Sequence, residues 1–320
     1  MDADTTIVIP TYNRRDLLGA CLDSLKAQSY QGFEVVIVDD GSSEDIQGFV
    51  AEAYPEADVV RLPRNGGFAG AANAGLKHAK TPYVMLLNND MTLEPDAIER
   101  LHTAIKSGTA DMVAPLVLWR DHPGVVYSCG DFIRTSGRPE AIGFRAPREQ
   151  FASTVEPFGV SAGAAMYKRT MFGEIGYLDE RFVAYFEDSD LCFRARLAGF
   201  TAAVVPDAVA YHVGSASLEG RLWWRSRQCF RNHTLLIMKN MPLGLLVRYA
   251  PEIGRERMDQ LQSVVNAARA ELGGWRAIQL VALTALDLLV QLPYAWRQRL
   301  RIQRSRKITN DQLHALLTHE

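Results

Sequence analysis

The stretch "YVMLLNND" (residues 83–90) turns from apolar to polar within eight residues. Its first five residues are apolar enough to form a buried strand, whereas Asn88, Asn89 and Asp90 are polar. A strand that ends in this way leads into an ordinary turn, for which Asn and Asp are common residues, or holds a charged ligand. Taken alone, the stretch favours the turn.

Four other short apolar runs are also bounded by polar residues. These runs are "TIVIP" (6–10), "FEVVIVDD" (33–40), "ADVVRL" (57–62) and "ADMVAPLV" (110–117). Segments with helical spacing separate them, so the alternation predicts an α/β fold with a mostly parallel sheet and helices on both faces. Ligands of such sheets bind beyond the carboxyl ends of the strands. The polar residues after each run are therefore candidate binding residues.

The second half of the chain follows a different pattern. After residue 120, Gly- and Pro-containing pieces suggest short antiparallel strands. The segment "FVAYFEDSDLCFRARLAGF" (182–200) then starts a helix, which Gly199 ends. From about residue 219 the pattern is helical, with a break at 240–244. We predict one domain over 1–215 and a helical C-terminal region over 216–320.

Composition narrows the class of protein. The 320 residues are 48% hydrophobic and 22% charged, which is typical of a globular chain. A net charge of -2 argues against nucleic acid as the partner of the whole chain. The cysteines lack C-x-x-C spacing, and the N-terminal sequence lacks the order of a signal peptide. We expect a cytoplasmic protein without a zinc site or a disulfide framework.

Two glycine-containing motifs follow the second and third runs. "VDDGSS" (38–43) offers Asp39 and Asp40 to a base or ribose, although Asp-Gly-Ser is also ordinary turn chemistry. In "RNGGFAGAANAGL" (64–76), glycines at a helix start favour a phosphate, and Arg64 adds positive charge. Close packing of the helix on the sheet is the alternative, but it leaves Arg64 and Asn73 unexplained. The spacing differs from the dinucleotide fingerprint.

Two further motifs carry groups suited to a metal ion or to proton transfer. Asp90 suits a divalent cation that shares a diphosphate, and His212 in "AYHVGS" is a metal ligand if it meets Asp90, or else a structural histidine. "YFEDSD" (185–190) places three carboxylates at a helix start, where the helix dipole alone favours them. Preceded by aromatic residues, they also suit a general base.

In this order the motifs resemble those of family 2 inverting glycosyltransferases of the GT-A type, over about residues 5–240. The resemblance implies a Rossmann-like, mostly parallel sheet with helices on both faces and a C-terminal helical extension. Asn-Gly-Gly-Phe followed by Asn-Asn-Asp is similar to the rhamnosyltransferase-like branch, which builds bacterial cell-surface polysaccharides. Its donors are nucleoside-diphosphate sugars, here dTDP-, UDP- or GDP-linked, and the acceptor is a glycan or lipid-linked hydroxyl.

The resemblance also implies roles for individual residues. The predicted donor-binding residues are Pro10, Thr11, Tyr12, Asn13, Arg14, Asp39, Asp40, Arg64, Asn65, Gly66, Gly70, Asn73, Asn88 and Asn89. Asp90 matches the last position of the D-x-D metal motif and His212 the late metal-ligand position, for Mg²⁺ or Mn²⁺. Asn88 departs from the motif at its first position, which puts the strength of metal binding in doubt.

For catalysis, the resemblance implies that Asp188 is the base of a single inverting displacement. The predicted acceptor-binding residues are Gly163, Ala164, Glu187 and Asp190. Two other functions stay open: a nucleotidyltransferase that makes the activated sugar, and a non-catalytic sugar-nucleotide-binding protein on the same fold. The first lacks its Gly-rich N-terminal loop, and the presence of Asp90, Asp188 and His212 argues against the second.

The C-terminal region carries an apolar stripe, with Leu283, Leu286 and Leu289, followed by a cluster of arginines. The apolar run at 277–296 contains Asp287 and Pro293, and we expect the proline to break it, short of the ~18 to 20 apolar residues of a membrane span. One interpretation is an amphipathic helix on the anionic inner face of the cytoplasmic membrane, where each basic residue contributes ~1 kcal/mol. The other is packing on the catalytic domain or in a homodimer.

Overall fold

The structure, a computed structural model, describes residues 3–214 and 222–317. Contacts divide the chain into two compact units. The first unit is Met1–Asp131, Ala141–Val183 and Phe200–Gly214, and the second is Phe132–Glu140, Ala184–Gly199 and Ser215–Glu320. The functional domains 1–215 and 216–320 stay a prediction, and their boundary near residue 215 and the helix start near 219 lie outside the described residues.

The strands of the main sheet belong to the first unit, whereas most residues of the short strands Asp131–Ile133 and Pro139–Ala141 belong to the second. In chain order they are β1 (Thr5–Thr11), β2 (Phe33–Asp39), β3 (Asp58–Arg61), β4 (Tyr83–Leu87), β5 (Met91–Leu93), β6 (Met112–Trp119), β7 (His122–Ser128), β8 (Asp131–Ile133), β9 (Pro139–Ala141), β10 (Ala164–Lys168) and β11 (Ala202–His212). Within the described residues, nine of them form one sheet, and β8 and β9 form a separate pair.

The sheet has the order β3-β2-β1-β4-β10-β6-β11-β5, with β7 beside β6. Strands β1 to β4 run parallel, and β11 runs parallel to β6. Strand β10 is antiparallel to both of its neighbours, and β5 and β7 also pair in the antiparallel sense. The predicted α/β fold is confirmed, and its antiparallel part lies in the half of the sheet whose sequence pattern is weaker.

Helices connect the strands of the first unit and make up most of the second. In chain order they are α1 (Arg15–Lys26), α2 (Ile46–Ala53), α3 (Gly67–His78), α4 (Ala97–Lys106), α5 (Arg169–Ile175), α6 (Glu187–Leu197), α7 (Leu222–Asn240), α8 (Leu243–Arg248), α9 (Ala250–Leu272), α10 (Gly274–Ser305) and α11 (Asn310–Leu316). Short 3₁₀ turns occur at Arg148–Gln150 and Glu180–Phe182.

Helices cover both faces of the sheet, as the alternation predicts. Ile7 and Ile9 of β1 share a buried cluster with Leu18 of α1, on one face. Val8 points to the opposite face, since successive side chains of a strand alternate. There, a Cβ added at Gly75 of α3 would come within 2.2 Å of Val8 Cγ1. Close packing therefore explains the small residues in the middle of α3.

Helix α10 runs through Pro293 without ending there, which corrects the expected break. Proline removes one backbone hydrogen bond of a helix and normally kinks it. Here Pro293 is exposed, and the turns on either side pack against α7 and α9 of the same unit. The resulting helix has 32 residues, with a mean hydropathy of 1.5 over its most apolar 18-residue window, so by length and composition it could cross a membrane.

Candidate active site

The polar loops of the first unit meet at one edge of its sheet. Strand β1 pairs in parallel with β2, with Thr11 opposite Asp39, and also with β4. The backbone nitrogen of Asp40 donates to the carbonyl oxygen of Thr11 at 2.8 Å, which joins the starts of two loops. Because α/β sheets bind ligands beyond such strand ends, this edge is the candidate nucleotide site. The side chain of Thr11 is buried within it.

The loop after β1 has an uncommon backbone conformation. Asn13 and Arg14 have φ values of 56° and 61°, in the left-handed region that side chains seldom adopt. Asn13 Oδ1 accepts a hydrogen bond from the nitrogen of Ser43 at 2.9 Å, and its own backbone nitrogen donates to Ser42 Oγ at 2.8 Å. The loop after β2 thereby holds this conformation, and Tyr12 is left 51% exposed.

Asp39 and Asp40 are both buried, and each carboxylate accepts hydrogen bonds from neighbouring protein groups. Asp39 accepts from Arg61 Nη1 at 2.7 Å and from the nitrogen of Ser42 at 2.9 Å. Asp40 accepts from the nitrogens of Gly66 and Gly67, at 2.7 and 3.0 Å. Burial raises the pKa of Asp40, although both backbone donors act to lower it. A carboxylate oxygen can accept a second hydrogen bond, so contact with a base stays a prediction.

The glycines at the start of α3 differ in their contacts, since Gly66 and Gly67 bind residues outside the helix, whereas Gly70 has open space beside it. The amides of Gly66 and Gly67 are directed at Asp40, so the expected phosphate contact of free amides is not available from them in this structure. Gly67 has a φ of 76°, and a Cβ there would come within 2.9 Å of the carbonyl oxygen of Val183. A Cβ at Gly70 would meet no atom of the described residues within 4 Å. Packing therefore does not require glycine at 70, where space for a ligand remains.

Asn73 is a structural residue, which corrects its assignment to the donor. Its Nδ2 donates to the carbonyl oxygen of Leu178 and to Glu180 Oε1, both at 2.9 Å. Its Oδ1 accepts from the nitrogen of Leu178 at 3.0 Å. The side chain is buried, and these bonds join α3 to the segment before the Glu180–Phe182 turn. Arg64 and Asn65, by contrast, are exposed.

The predicted metal ligands Asp90 and His212 meet in the first unit. His212 ends β11, and its Nε2 lies 3.2 Å from Asp90 Oδ2. Asp90 Oδ1 and His212 Nδ1 are buried and have no hydrogen-bond partner among the described residues. Buried polar atoms are rarely left unpaired, and oxygen and imidazole nitrogen are ligands of Mg²⁺ or Mn²⁺. The pair therefore fits a divalent cation.

This pair supplies two protein ligands. Within residues 3–214 and 222–317, no three His, Cys, Asp or Glu side chains group closely enough to hold a metal ion. The remaining ligands of a cation would be water and donor oxygens, as Mg²⁺ usually prefers. The ring of Tyr127 stands edge-on to the His212 ring, with centroids 4.4 Å apart, and limits its movement.

Gly163 and Ala164 adjoin the loop after β4. The carbonyl oxygen of Gly163 accepts from the nitrogen of Asn88 at 2.7 Å, and a Cβ on Gly163 would lie 3.3 Å from Met91 Sδ. Ala164 pairs with Leu87 inside the sheet and is buried. The side chain of Ala164 is therefore buried in the sheet, whereas Gly163 adjoins Asn88, and the contact of this loop with an acceptor stays a prediction.

The three predicted acidic residues of the second unit differ in exposure. Glu187 and Asp190 are buried, whereas Asp188 is partly exposed. Asp188 Oδ1 accepts from the nitrogen of Ser189 at 2.7 Å. Burial, and then the charge of Asp188, raise the pKa of Glu187, whose Oε2 has no hydrogen-bond partner in the described part of the chain. Of the three, Asp188 is the carboxylate that solvent reaches.

Asp190 is engaged by protein groups, which corrects its predicted contact with the acceptor. It accepts from Lys239 Nζ at 2.8 Å, Arg194 Nε at 2.9 Å and Asn240 Nδ2 at 2.8 Å. Burial alone would raise the pKa of Asp190, but the charges of Lys239 and Arg194 outweigh it and lower the pKa to about 2. The residue fixes α6 to α7 as a buried ion pair.

The backbone before α6 is strained and clamped. Tyr185 and Phe186 have φ values of 67° and 72°, a conformation that costs of order 1–3 kcal/mol for each such residue. Asn232 of α7 is fully buried, and its Nδ2 donates to the carbonyl oxygens of Ala184 and Tyr185. Arg231 Nη1 donates to Asn232 Oδ1 at 2.8 Å and holds the amide in this orientation.

Sequence reasoning missed the buried polar residues of α7. Asn232, His233, Lys239 and Asn240 are buried and form hydrogen bonds within the second unit. A signal for them exists in "RNHTLLIMKN", where polar residues recur at helical spacing among apolar ones. Such residues are seldom buried without partners, so they could have been assigned as partners of α6.

Comparisons with known proteins agree with this architecture. The family described as "Glycosyl transferase family 2" matches residues 6–176. The uncharacterized glycosyltransferase YwdF of Bacillus subtilis (strain 168) is 32% identical over 197 residues, which are 59% of this chain and 67% of YwdF. The amylovoran biosynthesis glycosyltransferase AmsB of Erwinia amylovora is 27% identical over 230 residues, 66% of this chain and 70% of AmsB. The chain spans 16% of the length of glycosyltransferase GlyA and 37% of the length of glycosyltransferase GlyG, two curated relatives from Streptococcus pneumoniae.

Among solved structures, the chain is similar to the mannosyltransferase PcManGT from Pyrobaculum calidifontis, solved with GDP-Man and Mn²⁺. The identity is 20%, the TM-score is 0.53, and the match covers 95% of this chain and 86% of PcManGT. At this identity the likeness concerns the fold alone. The predicted GT-A fold with a C-terminal helical region is confirmed.

Proposed function

Because the chain belongs to glycosyl transferase family 2, we propose that it transfers a sugar from a nucleoside-diphosphate sugar to a hydroxyl group, with inversion at the anomeric carbon. The observation that carries the proposal is the Asp90–His212 pair, in which two buried polar atoms have no partner among the described residues. A divalent cation that also binds a diphosphate would give Asp90 Oδ1 a partner beside the histidine.

Asp90 and His212 would hold Mg²⁺ or Mn²⁺, and the diphosphate and water would supply the other ligands. When bound, the cation neutralises the charge that develops on the departing nucleoside diphosphate. Asn88 offers a neutral amide where the family motif has a carboxylate. We therefore expect weaker cation binding before the donor arrives than a site with two aspartates would show.

The nucleotide lies along the loops that Asp39 and Asp40 hold in place. Tyr12 is exposed and offers its ring to the base. Arg64 is exposed beside the Gly66–Gly67 turn and offers positive charge to the diphosphate. Gly70 has room for close approach of a ligand. Asn88 and Asn89, both partly exposed, offer amides to the sugar hydroxyls.

Asp188 serves as the base, and its partial exposure supports this choice over the buried Glu187 and Asp190. Asp188 takes the proton of the acceptor hydroxyl, the oxygen attacks the anomeric carbon, and the bond from that carbon to the diphosphate oxygen breaks. Burial, and then the charge of Asp188, raise the pKa of Glu187, which makes Glu187 a poorer match for a base that is ionised at neutral pH.

For the biological role, we propose a step in cell-surface polysaccharide synthesis with a glycan or lipid-linked acceptor. In support, the relative AmsB is named an amylovoran biosynthesis glycosyltransferase. Rhamnose from dTDP-rhamnose is the donor sugar that the order Asn-Gly-Gly-Phe then Asn-Asn-Asp favours.

A thermal-shift experiment tests the proposal. The chain is melted with dTDP-rhamnose, UDP-galactose or GDP-mannose, each with Mn²⁺ or with EDTA. We expect one donor to raise the melting temperature in the presence of Mn²⁺, and the rise to be lost in Asp90→Asn. Asp207→Asn, which removes an exposed carboxylate from the strand that carries His212, is the control. No stabilisation by any of the donors would contradict the proposal.

A further inference from the structure

Helix α10 turns its polar residues towards α7. Thr284 is buried and accepts a hydrogen bond from Arg227 Nε at 3.0 Å. Asp287 accepts from Arg231 Nε at 2.6 Å. Near the end of the helix, Arg299 Nη1 donates to a carbonyl oxygen of α7 at 2.9 Å. These bonds fix the rotation of α10, so the apolar residues on its opposite side face away from α7.

The outward face of α10 consists of Ile278, Leu283, Leu286, Leu289, Val290 and Trp296. Each of these side chains is between 57% and 66% exposed. They extend over about 27 Å of helix, at 1.5 Å per residue. Helices of soluble proteins normally bury such residues, and a contiguous exposed apolar patch marks an interaction surface.

The charges at the two ends of this face distinguish between a second copy of the chain and an anionic surface as its binding partner. Arg276 precedes it, Arg297, Arg301 and Arg304 follow it, and all four are exposed. Asp287 is the one carboxylate in the sequence of α10, and it is bound by Arg231. If two copies paired through this face, cations would oppose cations in either orientation, because both ends of the face are basic. An anionic surface complements both ends.

We propose that the outward face of α10 binds an anionic lipid bilayer, with the helix lying in the interface. Leu286 and Leu289 enter the acyl boundary, while the arginines at the end of the helix contact lipid phosphates. Trp275 and Trp296 are exposed near the two ends of the face, at the depth where tryptophan is enriched in membranes. The bonds of Thr284 and Asp287 hold the helix along α7 rather than across the bilayer. This binding does not depend on the proposed sugar transfer.

Flotation of the full chain with lipid vesicles tests the proposal. We expect the chain to float with vesicles of phosphatidylcholine and phosphatidylglycerol. The double variant Leu286→Gln, Leu289→Gln should lose flotation and keep its melting temperature, because both side chains are exposed. Met258→Gln is the control, since Met258 of α9 is 64% exposed but lies next to the exposed Asp259. This variant should float like the original chain.

Removal of charge tests the choice of an anionic surface. The triple variant Arg297→Gln, Arg301→Gln, Arg304→Gln should bind phosphatidylglycerol-containing vesicles about 100-fold more weakly. Its binding to pure phosphatidylcholine should not change. The proposal is overturned if the original chain does not float, or if the leucine variant floats equally well. It is also overturned if light scattering finds a dimer that the leucine variant disrupts, while neither form binds vesicles.

Discussion

The side-chain nitrogen of Asn232 donates a hydrogen bond to the carbonyl oxygen of Tyr185 at 2.8 Å. Tyr185 has a left-handed backbone and stands two residues before Glu187, where α6 begins. The same nitrogen binds the carbonyl oxygen of Ala184, so one amide holds two consecutive carbonyl groups. Asn232 thus sets the path by which the chain enters the helix that carries Asp188.

Replacement of Asn232 should therefore reduce turnover without loss of donor affinity. We expect Asn232→Ala to lower kcat by roughly 10- to 100-fold, because a misplaced base removes the proton of the acceptor hydroxyl less efficiently. The KM for the donor should stay near its original value. Thr234→Val, which removes a hydroxyl from the same helix, is the control and should leave kcat unchanged. Equal kcat in Asn232→Ala and the original chain would show that the clamp does not position the base.

Replacement of Asp188 itself should reduce turnover more strongly than replacement of Asn232. Asp188→Asn keeps the shape of the side chain but cannot accept the proton, so turnover should fall ~10²- to 10⁴-fold. Thermal stabilisation by donor and Mn²⁺ should persist, since the variant changes the base alone. Glu271→Gln removes an exposed carboxylate from α9 and should not change turnover. Near-normal turnover in Asp188→Asn would assign the base elsewhere.

Glu187 should make the stability of the chain depend on pH. Its pKa is raised from 4.5 to about 8, so between these values the folded chain holds a proton that the unfolded chain has released. The free energy of unfolding should therefore fall with rising pH in this window, by about 1.4 kcal/mol per pH unit for one such proton. In Glu187→Gln this fall should disappear, as urea titrations at several pH values would show. Glu149→Gln, at an exposed position, should retain it.

The ion pair between Asp190 and Lys239 gives a stability prediction of its own. Lys239→Met leaves Asp190 buried with one cation fewer, and removal of one partner of a buried pair costs about 3–5 kcal/mol. Adding Asp190→Asn should recover part of this loss, because the unpaired charge is then removed. Chemical denaturation of both single variants and the double variant measures the coupling. Strictly additive losses would mean that the two groups do not interact.

The pair of Asp190 and Lys239 should also make the fold less stable at low pH. The lowered pKa of Asp190 contributes stability that is complete above the ordinary aspartate value of 3.8 and is lost as pH falls towards about 2. Glu187 makes the chain less stable as pH rises and does so at higher pH. The effects of the two carboxylates on the free energy of unfolding therefore fall in different pH ranges and can be measured separately.

Local pattern was enough to predict most of the sheet. The strands β1 to β4 are short apolar runs bounded by polar residues, and parallel pairing then brings their ends together, including Asp90. The antiparallel β10 was not predicted to insert between β4 and β6, since the pairing depends on segments far apart in the chain. Strand β5, with three residues, is too short to show a period.

The errors in the site share one cause. Asn73 and Asp190 belong to motifs that look functional, but distant partners occupy their hydrogen-bonding atoms. Asn73 binds Leu178, which is 105 residues away, and Asp190 binds Asn240, which is 50 residues away. Residue type and spacing give the chemistry that a side chain can perform. Which groups occupy its hydrogen-bonding atoms is decided by the folded chain.

The proposed cation site at Asp90, beside His212, has a thermodynamic consequence. A diphosphate that approaches this carboxylate meets repulsion, which a cation held by Asp90 and His212 reverses into attraction. Donor and cation should therefore be heterotropic ligands of one site, each raising the affinity for the other by the same factor. Calorimetric titrations of donor before cation, and of cation before donor, would measure both factors. Unequal factors would mean that a second cation site takes part.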